Sequence, residues 1–321
     1  MQKIGKKTLK IAFPIGLGVL LVIYSYSRFS DQQLTEIRSH FQQARYQYVA
    51  LSIIFSILSH LVRSYRWIFL ARPLGFRPKF YNSFLALNCA YLLNLVIPRG
   101  GEITRAVLLD KYENIPFQKG FGSIIAERIV DLLFLLGFTA IATIIKVEVL
   151  WNYFIDIIPI KKLGTLALIG VLILLLFWLI LRFSKGKGVV KIKNFLKGIK
   201  EGILSITKMD NKWEFLFYSF LIWVLYIAAF YSCIIALEQT SNIDFGSILL
   251  AFVAGSFSVA FTNSGFGSYP LFVAGILSLF GIAITSGTAF GWIIWTSNMF
   301  SILILGILSF IALPIINRRN L

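Results

Sequence analysis

Acidic residues, cysteine and histidine are all scarce in this chain of 321 residues. Only 14 Asp and Glu stand against 31 Lys and Arg, and there are two cysteines and two histidines. Cys89 and Cys233 each lie inside an apolar run, so neither a disulfide framework nor a thiolate metal site is expected. His40 and His60 are far from any cysteine pair, so no zinc site is expected either. The sequence contains no G-x-x-x-x-G-K-[ST] loop, which argues against a nucleotide-driven pump. No cofactor, metal or catalytic residue is assigned.

Apolar residues are abundant. They make up 58% of the chain, more than a soluble domain needs. Several runs are long enough to cross a bilayer core, which takes about 20 residues as helix. The sequence therefore reads as an all-α, polytopic transmembrane helical bundle forming one integral membrane domain over 1–321. The first run, 11–27, follows four lysines and lacks a small-residue cleavage site, so it reads as a retained signal anchor. A net charge of +17 would suggest nucleic acid in a soluble protein. Here the basic residues gather between apolar runs, which is how membrane proteins set their orientation. Their expected partner is anionic membrane lipid, and no nucleic acid.

Full spans are expected at 11–27, 48–70, 129–146, 163–182, 214–236 and 286–312. Shorter apolar pieces lie at 80–97 and 247–262. The basic segments 1–10, 63–79 and 182–212 and the tail at Arg318 and Arg319 are expected in the cytoplasm, with the acidic segment 237–246 outside. Arg63 and Arg66 are counted here as loop charges. Both termini are then cytoplasmic. The region 80–125 must enter and leave on the cytoplasmic side, and 247–282 on the outer side. The pattern is span, hairpin, span at 48–146, repeated in opposite orientation at 214–312, with the hairpins interrupted or re-entrant. An inverted repeat with broken helices points to a transport site near the repeat interface. The linker 183–212 alternates Lys with apolar residues at helical spacing and reads as an amphipathic helix on the cytoplasmic leaflet.

Two stretches carry charge where lipid should be. In "NLVIPRGGEITR", Pro98 ends a helix, and the glycines, Gly101 among them, allow a tight path. A new helix is expected near Glu102. Its N-terminus, with Arg99 and Arg105, suits a phosphate, and Glu102 would orient an arginine or cap the helix. In "ERIVD", Glu127 and Asp131 share a helix face, with Arg128 and Asp131 adjacent, where an apolar helix is expected to begin. Charges at the bilayer centre cost about 2.5–3.5 kcal/mol each on insertion scales, so they are rare and usually functional. They serve equally as a structural ion pair tying this helix to 98–105. A second, uncharged break, "NSGFGSYP", offers Asn263, Ser264, Gly265, Gly267, Ser268 and Tyr269 as site or packing residues.

These motifs resemble the transmembrane region of lysylphosphatidylglycerol synthases and its free-standing flippase-like, UPF0104-type relatives. The matching residues are Pro98, Arg99, Gly101, Glu102 and Arg105, then Gly122, Glu127, Arg128 and Asp131. The second break keeps the glycines but departs from the family's proline, at Asn263 or Ser264, and from its glutamate, at Ser268 or Tyr269. The resemblance implies translocation of an anionic lipid, phospholipid or polyprenyl-phosphate-linked, between the leaflets of a bacterial or archaeal plasma membrane. It also implies that lipid aminoacylation needs a large soluble domain, which this sequence does not contain. The alternatives are a membrane enzyme, or a membrane partner of a lipid-modifying aminoacyl- or glycosyltransferase.

Overall fold

The structure is a computed structural model describing residues 16–98, 100–157 and 209–318, with isolated positions between 172 and 190. Among these residues it is helical throughout, with no strand. The helices are α1 (Gly16–Ser27), α2 (Asp31–Gln43), α3 (Tyr46–Ala71), α4 (Phe80–Val96), α5 (Gly100–Glu113), α6 (Phe117–Ile145), α7 (Val147–Ile157), α8 (Lys212–Ile234), α9 (Phe245–Phe261), α10 (Ser268–Ser278) and α11 (Ile284–Ile316). Four are long and apolar enough to cross a membrane: α3 with the turn after it, α6, α8 and α11. The chain is an integral membrane protein. The expected span at 163–182, and the linker at 183–212 up to 208, lie outside the described residues save for isolated positions.

Local chemistry fixes the helix ends. Ser30 and Gln33 form a reciprocal capping box at the start of α2. Asp244 caps α9 by accepting from the Ser247 N–H. Although burial opposes ionisation, hydrogen bonds from Lys146 and Ser247 hold the Asp244 carboxyl down at about 2. Gly75, at φ 89°, closes the turn after α3 in a conformation that favours glycine.

One assignment and one boundary differ from the sequence reading. Helix α3 ends at Ala71, in line with the span expected at 48–70, so Arg63 and Arg66, counted as loop charges, belong to the helix. Both are buried, and the apolar run Trp67–Ala71 follows them. Helix α6 begins at Phe117, not at 129, which puts Glu127, Arg128 and Asp131 within it rather than at its start. In both cases ion pairs across the bundle neutralise the charges, so the charges do not end the helix.

The central contact is α3 against α8. Around it, α3–α4–α5–α6 and α8–α9–α10–α11 follow the same order: long helix, two short ones, long helix. Every packed pair among these eight helices has its counterpart when the two sets are exchanged. Thus α4–α5 answers α9–α10, α5–α6 answers α10–α11, α4–α11 answers α9–α6, and α3–α11 answers α8–α6. The helix ends show which ones lie together. Arg45, before α3, donates its N–H and a guanidinium N–H to the carbonyls of Ala236 and Ile235, after α8. Lys146, at the end of α6, pairs with Asp244, at the start of α9, at 2.7 Å. At the other end, the Lys79 N–H donates to Glu113, so the start of α4 and the end of α5 meet. Asn82 and Asn317 exchange amide hydrogen bonds of 3.0 and 2.7 Å, adding the end of α11 to that group. Each short pair is therefore a hairpin. The faces turned away from the bundle are apolar, with Leu133, Leu136 and Ile144 on α6 and Phe310 and Ile311 on α11 exposed, as helices in lipid require.

Candidate functional site

Helix α3 supplies Arg63 and Arg66, one turn apart, and α6 supplies Glu127 and Asp131, also one turn apart. The two pairs interlock. Arg63 Nη1 donates to Glu127 Oε1 at 2.9 Å and to Asp131 Oδ2. Arg66 Nη1 donates to Asp131 Oδ1 at 2.9 Å, and its Nη2 lies 3.0 Å from Glu127 Oε1 without hydrogen-bond alignment. From α5, Arg105 Nη1 donates to the second oxygen of Glu127 at 2.9 Å. Glu127 thus meets three guanidiniums and has no exposed surface. Helix α8 completes the surroundings: Tyr226 accepts from Arg63 at 3.1 Å, and Ser219 from Arg66 at 3.0 Å. Aromatic rings cover the arginine faces, Trp67 beneath Arg105 and Phe215 beneath Arg66.

The pairing loosens toward the first break. Arg128 lies 3.7 Å from both Glu102 and Asp131, and a third of its side chain is exposed. A small cavity opens there, lined by Tyr91, Asn94, Gly101, Glu102, Arg105 and Arg128 among others. Arg105, 1% exposed, leaves Nε and Nη2 without hydrogen-bond partners, as does Arg128 at Nε and Glu102 at Oε2. Counted together, Arg63, Arg66, Arg105 and Arg128 face Glu102, Glu127 and Asp131, an excess of one positive charge. Unmatched charge at this depth is costly unless a counter-charge joins it.

The break itself differs in detail from expectation. Helix α5 starts at Gly100, two residues before Glu102. Its first N–H groups are partly used, since Gly100 donates to the Ile97 carbonyl and Gly101 to Asn94 Oδ1 at 2.7 Å. The side chains, more than the helix end, therefore offer free donors. A Cβ at Gly101 would sit 2.2 Å from the Ala90 carbonyl oxygen, so only glycine lets α4 and α5 approach this closely. Pro98 lies in the turn, and Arg99 lies outside the described residues.

At the second break most polar groups are used in packing. Ser268 shares hydrogen bonds with Ser258 and Thr262 at 2.6 and 2.7 Å. The Ser264 carbonyl accepts from Trp295, and Tyr269 is buried. Gly265 and Gly267 take φ of 76° and 73°, and Gly267 faces the Gly18 carbonyl of α1 so closely that a Cβ would lie 2.4 Å from its oxygen. Asn263 reaches across and donates to the Leu95 carbonyl at the end of α4, at 3.0 Å. The two breaks therefore touch, though the charged cluster belongs to the first.

Of the residues singled out from sequence, Glu102, Arg105, Glu127, Arg128 and Asp131 come together around Arg63 and Arg66. Those two arginines, with Tyr226 and Ser219, were missed. The available signal was that Arg63 and Arg66 stand one turn apart with five apolar residues still to follow. Among the described residues, no group of His, Cys, Asp and Glu could hold a metal ion.

Comparison with known proteins adds a family. The model of the lysylphosphatidylglycerol synthase transmembrane region matches residues 11–306. The UPF0104 membrane protein MJ1595 of Methanocaldococcus jannaschii is 27% identical over 308 residues, 85% of this chain and 86% of that protein. The glycosyltransferase AglD of Haloferax volcanii is 32% identical over 97 residues, 30% of this chain and only 16% of that protein. No solved structure matches.

Proposed function

We propose, from the premise that this chain belongs to the lysylphosphatidylglycerol synthase transmembrane-region family, that it translocates an anionic lipid between membrane leaflets. The cargo is a phospholipid or a polyprenyl-phosphate-linked lipid. The observation that carries this reading is the buried cluster with one uncompensated positive charge, whose Arg105 has unpaired N–H groups and lines a small cavity at a helix break. A guanidinium holds two phosphate oxygens at once, and its charge is permanent. The site residues are Arg105, Arg128 and Glu102 in contact with the headgroup, with Glu127, Asp131, Arg63 and Arg66 holding them in place. Arg99, from its position in sequence, joins the first group. The exchangeable packing of α3–α6 and α8–α11 supports reading the halves as an inverted repeat, with hairpins entering from opposite faces.

The test uses proteoliposomes and lipids labelled on one acyl chain with a fluorophore that an external reductant quenches. Labelled phosphatidylglycerol is expected to become accessible from the inner leaflet faster than in empty vesicles, and labelled phosphatidylcholine is not. Arg105→Gln should slow this at unchanged protein incorporation. Equal rates with and without protein would refute the reading.

A second reading is favoured by the segment shared with AglD: the chain serves as the membrane partner of a lipid-modifying transferase. Co-purification of such an enzyme, with no lipid movement in its absence, would support it instead.

A further inference from the structure

The cavity at the first break is lined by unlike groups. Arg105 Nε and Nη2 and Arg128 Nε are donors without hydrogen-bond partners, while Glu102 Oε2 is a buried acceptor without one. Glu102 Oε1 is the oxygen turned to Arg128, so Oε2 is left for something else. A phosphate satisfies the arginine edges. Its unesterified oxygens are acceptors, however, and so is a carboxylate oxygen. Two acceptors pressed together in a confined site repel and leave each other unsatisfied, unless a hydrogen lies between them.

Given the headgroup reading above, we infer that the cargo's phosphate carries, on itself or on the adjoining headgroup atoms, an O–H or N–H that donates to Glu102 Oε2. Two sources supply this chemistry. One is a phosphomonoester that keeps one proton. The other is a phosphodiester joined to a hydroxylated or amino alcohol. An anionic diester bearing only an alkyl group fills the arginine edges and strands the carboxylate oxygen. Sites built to pair a polar group discriminate strongly against the analogue lacking it. Glu102 is then a specificity residue, and Arg105 the anchor.

The experiment uses the purified full chain and four lipids with identical acyl chains, with retained lipid read by native mass spectrometry. Phosphatidic acid is a monoester, phosphatidylglycerol a hydroxylated diester, phosphatidylmethanol an anionic diester without a donor, and phosphatidylcholine the neutral control. The native protein is expected to bind phosphatidic acid, phosphatidylglycerol or both about tenfold more tightly than phosphatidylmethanol, the scale of one hydrogen bond to a charged group. Preference for phosphatidic acid alone supports the monoester source, and preference for phosphatidylglycerol alone the diester source. Glu102→Met keeps the side-chain length but removes both oxygens. It should bring the three anionic lipids within about twofold of each other, the donor's contribution being gone. Equal binding of all three by the native protein overturns this inference and leaves the anion reading standing. A preference for phosphatidic acid that survives Glu102→Met reflects charge alone and also overturns it. Binding no better than phosphatidylcholine overturns the anion reading itself. The comparison on the native protein holds even if Glu102→Met fails to fold.

Discussion

Glu127 is where three arginines from two helices meet, and none of its surface is exposed. Removing its charge leaves Arg63, Arg66 and Arg105 crowded with only Asp131 close by. Loss of one partner from a buried pair costs about 3–5 kcal/mol, so Glu127→Gln should strongly lower the thermal unfolding temperature in detergent. Arg105→Gln differs, because Glu127 keeps Arg63 and Arg66. That variant should remain folded while losing co-purified anionic lipid. If Arg105→Gln loses as much stability as Glu127→Gln and its lipid content is unchanged, Arg105 is a structural pair and no anchor. Five members of this cluster were legible in the sequence because each charge interrupts an apolar run. Arg63 and Arg66 were not, because they stand near the end of such a run and beside Arg72, Arg77 and Lys79. There a basic residue looks the same whether it orients the chain or enters the core.

Among the elements, the breaks were easier to locate than the helix starts. Pro98 and the glycines at 265 and 267 punctuate the chain by backbone geometry alone, and the structure turns where they stand. The start of α6 was misplaced by about a helix's first three turns. Hydropathy discounts a segment holding Glu127, Arg128 and Asp131, although partners elsewhere cancel those charges. Close approach separates one glycine from another. At Gly101 an added Cβ meets the Ala90 carbonyl at 2.2 Å, whereas at Gly137, on α6, nothing lies within 4 Å. Gly101→Ala should therefore push α5 from α4 and destabilise by about 1–3 kcal/mol, as overpacking does. Gly137→Ala should be neutral or slightly stabilising, since alanine is the better helix former. Thermal unfolding of both variants checks this. Equal behaviour would mean that α4 and α5 do not pack this tightly.

For the whole molecule, the basic segments predict cytoplasmic termini, with the loop after α8 outside. Single cysteines placed in a cysteine-free background are expected to react with an impermeant reagent at position 239 in intact cells, and at position 190 only after lysis. External labelling at 190 would refute this orientation. The exchange of helix pairs has no counterpart in charge. Counted from the helix starts, Glu127, Arg128 and Asp131 correspond to Ile294, Trp295 and Asn298 on α11, and Arg63 and Arg66 to Ala229 and Ser232 on α8. None of these counterparts can ionise, so the excess positive charge is fixed to one half of the bundle. A singly charged lipid that binds there and leaves on the far side carries its own charge across the membrane, and the arginines stay behind. The membrane voltage acts on that charge by about 2.3 kcal/mol per 100 mV. If the chain carries an anionic lipid as proposed above, a cell interior that is negative drives each such headgroup outward.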